Sequence, residues 1–406
     1  MPETAERARP AWRRVPAPVV AISAVTVVVV ALVGATFILH PPPGSGASPS
    51  SAVSTPPPPS STPSASPSGV GDWQALAAAY AVGASWSPDG EWLAVWDRAG
   101  DGASAERHLR LLDSAGKPVR ELTGDRLLWV DATRFVLSRG DASLLGAVDS
   151  TDSTPLPTPF PEAALSNNHG AVALPSVEEG DPAATTFVVW TQTGATPAVG
   201  GLPEAWSADG TKLAVWHSTE SEGPHGIGSQ ETGWIEVLSW PGLASLASMK
   251  EDSLVSEPMS FDPSGRYLVV SRLGFDGYLV LDTVAGGLVG PSGVTGFTPA
   301  WNSASELLVP AVDGSVTTYS LSGKPPVTTR GVGNGVVASA DGSTLVFHFT
   351  SSESARGPVT VVRGGVSRTI PIPGRVELAP IVSPEGSGIV IICLVGNEEQ
   401  ALLLVD

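Results

Sequence analysis

The stretch WSPDGEWLAVWD, Trp86 to Asp97, returns as WSADGTKLAVWH, Trp206 to His217, and weaker copies fill the chain between and beyond. Eight cores align: ASWSPDGEWLAVW (84–96), LLWVDATRFVLS (127–138), AALSNNHGAVAL (163–174), EAWSADGTKLAVW (204–216), MSFDPSGRYLVV (259–270), PAWNSASELLVP (299–310), VVASADGSTLVF (336–347) and PIVSPEGSGIVI (380–391). With Ser87, Val130, Ser166, Ser207, Asp262, Asn302, Ser339 and Ser383 taken as equivalent, the spacings are 43, 36, 41, 55, 40, 37 and 44 residues. They average about 42, as does an eighth of residues 70–406, and a period of 40–45 is that of a four-stranded propeller blade. A motif used eight times is architecture rather than a catalytic signature.

The chemistry inside one copy agrees. Ser and Asp of S-x-D-G bond their own backbone in a tight turn, and Gly supplies the positive φ. The strand that follows, LAVW or its equivalent, is nearly all apolar, as expected when both its faces are packed between neighbouring sheets. Trp86, Trp129, Trp206, Phe261 and Trp301 stand just before or in the turn and supply bulk to fill the gap between blades. A third strand often ends in Asp (Asp113, Asp149, Asp282, Asp406), again a structural position. After the eighth core only QALLLVD remains, so the last blade is one strand short. DWQALAAAY (72–80) precedes the first core and is the expected outer strand that closes the ring and hides its edge, although its alanines also suit a helix. The fold class is therefore all-β, a β-propeller of eight blades over residues 70–406, with seven blades as the alternative.

These turns and strands resemble the WD40-like (PD40) repeat of the TolB-type β-propeller, whose signature is an S-P-D-G turn followed by an apolar strand. The resemblance spans residues 70–406 and is specific in repeats one, four, five and seven. It implies a propeller without inherent chemistry, since such repeats occur in colicin-import proteins, peptidase gating domains and surface proteins. The chain departs from those relatives: no α/β domain precedes the propeller and no hydrolase domain follows it. No site residue is carried over.

The N-terminus supplies an address. Val19 to Leu39 is 21 residues without a charge; as a helix it would span roughly 31 Å, the thickness of a bilayer core. Arg7, Arg9, Arg13 and Arg14 precede it and no Lys or Arg follows before Arg98, which places residues 1–18 in the cytoplasm and the rest outside. A cleaved signal peptide, with Val33-Gly34-Ala35 as its small-residue site, is the competing reading and would make the protein secreted. Residues 40–69, rich in Pro and Ser and uncharged, read as a disordered stalk. Of the net −18, residues 1–18 carry +2 and residues 19–69 nothing, leaving −20 on the exported domain. Scarce lysine and abundant Ala, Val, Gly and Pro give a bacterial, high-GC impression.

That charge excludes nucleic acid and anionic lipid as partners of the domain, and permits a basic one. No nucleophile elbow, HExxH, P-loop, GxGxxG or EF-hand loop is present, and no cofactor is called for. The single Cys393, in IVIICLV, reads as a buried strand residue. His217 and His225, with Glu220 or Glu222 as a third ligand, would be the weak metal reading of a loop that is otherwise simply solvated. The stronger expectation concerns the connections after the LAVW-type strands: 97–106, 175–184, 217–226 and 350–357. They carry Asp97, Asp101, Glu106, Glu178, Glu179, Asp181, Glu220, Glu222 and Glu353, an acidic candidate binding face held by a rigid scaffold. The expected role is a membrane-anchored, extracytoplasmic module that binds or scaffolds a protein or cell-envelope ligand. An enzyme or ligand sensor with its site in the propeller channel is the alternative.

Overall fold

The computed structural model describes residues 73–79, 81–98, 107–140, 142–156, 160–161, 164–176, 185–218, 233–250, 254, 259–272, 277–349, 357–396 and 398–405. They form eight antiparallel sheets, and in seven of them the strand order follows the chain order. Blade 1 runs Ala81–Trp86, Trp92–Arg98, Arg107–Asp113, Pro118–Thr123. Blades 2 to 7 start from first strands at Arg126–Trp129, Leu165–Ser166, Leu202–Trp206, Ser260–Phe261, Ala300–Ser303 and Gly335–Ala338. First strands of neighbouring blades touch, so they form the inner ring. The ring has eight blades, not seven.

Blade 8 is assembled from both ends of the propeller. Its inner position is shared by Arg375–Val376 and Ile381–Val382, followed by Gly388–Val395 and Glu398–Val405. Gln74–Ala79 then pairs antiparallel with Glu398–Val405, in register Gln74 to Leu403. The alanine-rich segment is thus the closing outer strand. Trp73, 1% exposed, anchors it: its indole Nε1 donates to the Pro371 carbonyl at 2.9 Å, beside the end of blade 7. The apolar segment Val19–Leu39 and the stalk lie outside the described residues; among the described ones no helix is long and apolar enough to cross a membrane.

The turn chemistry repeats as the motif requires. In blade 1 the Ser87 hydroxyl donates to Asp89 Oδ1 at 2.6 Å and accepts from the Trp92 amide at 3.0 Å, while Gly90 sits at φ 74°. Ser207 and Asp209, and Ser339 and Asp341, repeat this geometry in blades 4 and 7. Blade 5 inverts it: Asp262 takes the buried position, and its carboxylate accepts from the Ser264 hydroxyl and the Tyr267 amide. In blade 3 the buried capping atom is Asn167 Oδ1, which accepts from the His169 and Ala171 amides. The equivalent of Ser87 there is therefore Asn167, one residue beyond the Ser166 that alignment on serine selects.

The core is divided among the gaps between blades, one apolar cluster for each gap. The motif tryptophans fill these gaps and also hydrogen-bond across them. Trp86, Trp129, Trp206 and Trp301 donate their indole N–H to the carbonyls of Ile381, Ser85, Leu165 and Ser260 at 3.4, 3.3, 3.1 and 3.2 Å. Each acceptor is on the inner strand of the preceding blade, one residue before that blade's own motif position. A large apolar ring with one N–H suits this place because its body fills the gap while its polar edge satisfies an inner-strand carbonyl. Cys393 is buried in Gly388–Val395, and burial pushes its thiol up to about 11. It is an inert packing residue.

Candidate binding face and the groups beneath it

Because every blade runs in the same sense, connections between second and third strands leave from one end of the blades, and the S-x-D-G turns occupy the other. The long insertions fall on the first kind of connection. Asp101 and Glu106 lie in the chain between Trp92–Arg98 and Arg107–Asp113 of blade 1. Glu178, Glu179 and Asp181 lie between Ala171–Ser176 and Thr186–Thr191 of blade 3, Glu220 and Glu222 between Lys212–Ser218 and Gly233–Ser239 of blade 4, and Glu353 between Thr344–His348 and Val359–Arg363 of blade 7. These eight side chains are outside the described residues. So is His225.

Asp97 is described, and it sits under the face rather than on it. It is 6% exposed, and Arg110 Nη2 lies 3.3 Å from its Oδ2. Burial pushes its carboxyl pKa up, against the pull of Arg110 and His108. Arg110 in turn approaches Glu121 at 3.6 Å. The register explains the grouping: Asp97 opposes His108 and Arg110 opposes Glu121, so all four project from one face of blade 1. This is a desolvated ion pair with a solvent-exposed second acid, suited to holding the root of the insertion in place.

Blade 4 has a different group at the same strand positions. His217 stacks on Trp234, its register partner, with ring centroids 3.8 Å apart and planes 6° from parallel. Its Nε2 is 3.3 Å from Glu236 Oε2. Burial lowers the His217 pKa, and Glu236 opposes that shift. Blades 2 and 3 separate this group from Asp97 and Arg110, so the ring does not bring the two together. Among the described residues no cluster of three His, Cys, Asp or Glu could hold a metal ion.

Trp234 and Glu236 were not singled out from the sequence. Their signal was the alternation in GWIEVLS, where Trp234 and Glu236 share one face while Ile235 and Val237 pack inward. His348 was missed as well. It ends the second strand of blade 7, is 3% exposed, and its Nδ1 has no hydrogen-bond partner among the described residues. Burial alone pushes its pKa down to about 4.

Eight four-stranded blades closed by an N-terminal outer strand, with indole links between inner strands, define an eight-bladed WD40-like β-propeller. Solved structures share the fold. Sqt1 of Chaetomium thermophilum matches with a TM-score of 0.55 at 16% identity, over 80% of this chain and 95% of that one. Sqt1 of the same organism bound to the N-terminus of the ribosomal protein L10 matches with a TM-score of 0.52 at 16% identity, over 82% and 99%. A eukaryotic initiation factor matches with a TM-score of 0.50 at 12% identity, over 72% and 78%. No family model matches the chain, and no curated protein does.

Proposed function

We propose that this chain is a membrane-anchored, extracytoplasmic binding module of the TolB-like kind. Its propeller would receive a protein or cell-envelope ligand of basic character on the face where second and third strands meet. One observation carries the reading: the scaffold is regular, and the long acidic insertions leave it at a single end of the blades. The Asp97–Arg110 ion pair, its acid buried, braces the root of the blade 1 insertion, as a recognition surface on a rigid support requires. Sqt1, which has the same fold, is a propeller seen with the N-terminus of a ribosomal protein. The uncharged run Val19–Leu39 behind four arginines supports anchoring and export.

The test is a pull-down from native envelope with the full chain. A second bait would have Asp101, Glu106, Glu178, Glu179, Asp181, Glu220, Glu222 and Glu353 changed to Asn or Gln. Loss of specific partners with the neutralised bait supports the reading, and an unchanged partner set overturns the acidic face. Protease treatment of intact cells tests topology: the propeller should be accessible and the protein should stay in the membrane fraction after carbonate washing.

A further inference from the structure

Seven of the eight inter-blade clusters contain a tryptophan among the described residues: Trp86, Trp73, Trp216, Trp129, Trp206 with Trp240, Trp301, and Trp190. The cluster between blades 6 and 7 has none. Blade 7 pairs Ala338 with Leu345 where blade 1 pairs Trp86 with Leu93 and blade 4 pairs Trp206 with Leu213. Ala338 therefore stands where blades 1, 2, 4 and 6 have an indole reaching into the preceding blade, and it is smaller than the Ser166, Phe261 and Val382 of blades 3, 5 and 8. Ala338 packs against the apolar cluster of this gap, and members of that cluster line a cleft of about 540 Å³ between the two blades, within the range of small-molecule sites and far beyond one water.

We propose that this cleft is a binding site for an uncharged amphiphile, a molecule with an apolar body and one or more hydroxyl or carbonyl groups. The floor is Leu308, Val316, Leu345 and Phe347, all buried. The outer wall is hydroxyl-bearing: Thr318 and Thr360 are half-buried, and Thr329 and Ser367 are exposed. Among the described residues no ionisable side chain lines the cleft, although the chain has 40 acidic and 22 basic residues. A phosphate, carboxylate or cationic ligand would lose its hydration there with no counter-charge in return. A neutral ligand loses water from apolar surface, which favours binding, and its few polar groups meet hydroxyls at the mouth.

The cleft is shaped rather than a general loosening of the ring. At its turn end the blades touch: a Cβ on Gly342 would come within 2.8 Å of the Asn302 carbonyl oxygen. At its outer side the turn is Gly364-Gly365, both at positive φ, with open space where their Cβ atoms would be. The exposed residues of its lining, Thr329, Gly364, Gly365 and Ser367, lie on or beside the outer strands of the two blades. The two sites are independent, and failure of one leaves the other standing.

The experiment uses residues 65–406, which contain all eight sheets and close their own ring through Gln74–Ala79. N-phenyl-1-naphthylamine, an uncharged fluorophore, is titrated into the protein. Saturable enhancement at one site is expected, competed by 1-decanol and roughly tenfold less well by decanoate. Ala338→Trp supplies the residue of blades 1, 2, 4 and 6 beside the cluster that lines the cleft; its indole should cross the gap to the Ala300 carbonyl and weaken the probe at least about tenfold while the thermal midpoint holds or rises. Ala338→Phe, the residue type blade 5 has at this place, gives a second arm if the tryptophan variant does not fold. Absence of saturable binding, equal affinity in the filled variants, or equal competition by decanol and decanoate would each overturn the proposal.

Discussion

Acidification from pH 7 to pH 5 should cost the native state about 2 kcal/mol through one side chain, His348. Its imidazole is almost wholly inside blade 7, and burial pushes its pKa from 6.5 down to about 4. The unfolded chain binds a proton near pH 6.5, while the native state does not bind it until about pH 4. Within that window the unfolded state holds more protons, so stability falls as pH falls. The contribution is intact above about pH 7, reduced by about 2 kcal/mol at pH 5, and by about 3 kcal/mol near pH 4. His348→Phe keeps a flat ring over Gly335, whose missing Cβ makes room for it. Urea denaturation of both proteins at pH 7, 6 and 5 isolates the effect, because every other titrating group is common to both. The variant should lose about 2 kcal/mol less than the parent over that range. Equal losses, or an imidazole titrating near 6.5 by NMR in the native protein, would refute the burial argument.

Other substitutions test the links in the ring. Trp73→Ala should destabilise by about 3–5 kcal/mol and speed amide exchange in Glu398–Val405, the strand its segment covers; protected amides there would mean the closing strand is dispensable. Trp206→Phe retains most of the bulk but orphans the Leu165 carbonyl, a loss of about 1 kcal/mol by calorimetry, against about 3–5 kcal/mol for Trp206→Ala. Asp282→Asn removes a carboxylate that accepts from Nε and Nη2 of Arg266 and is held down to about 2 chiefly by that guanidinium. With Arg266 half exposed, the loss at neutral pH should be about 1–2 kcal/mol, and the gap from the parent should close as pH falls from about 4 to 2. Gly335→Ala places a Cβ 2.5 Å from the His348 ring and should cost about 1–3 kcal/mol in a urea melt.

The blade number and the closing strand were legible because their causes are local. The S-x-D-G turn is bonded within a few residues, and the period counts its copies. The third repeat shows the limit: alignment matched Ser166 to Ser87, but the turn needs only a buried oxygen at the right place, and Asn167 Oδ1 supplies it. Residue type was the cue, and geometry was the requirement. The candidate face was legible as a set of insertions, since loop length shows against a regular beat. The role of Asp97 was not, because Arg110 reaches it across a strand pair.

The sequence by itself determined that the chain repeats a turn and a buried strand eight times and where its acidic residues concentrate, and it pointed to a last blade completed by the segment before the first repeat. Those conclusions rest on patterns that one strand or turn carries alone. Only the tertiary structure decided what lies between and within blades: which tryptophan bonds to which preceding carbonyl, that His348 is buried with its Nδ1 unpartnered among the described residues, and that a cleft lies between blades 6 and 7. The links and the cleft depend on two sheets meeting face to face, about 40 residues apart in the chain within the ring and 295 where blade 1 meets blade 8.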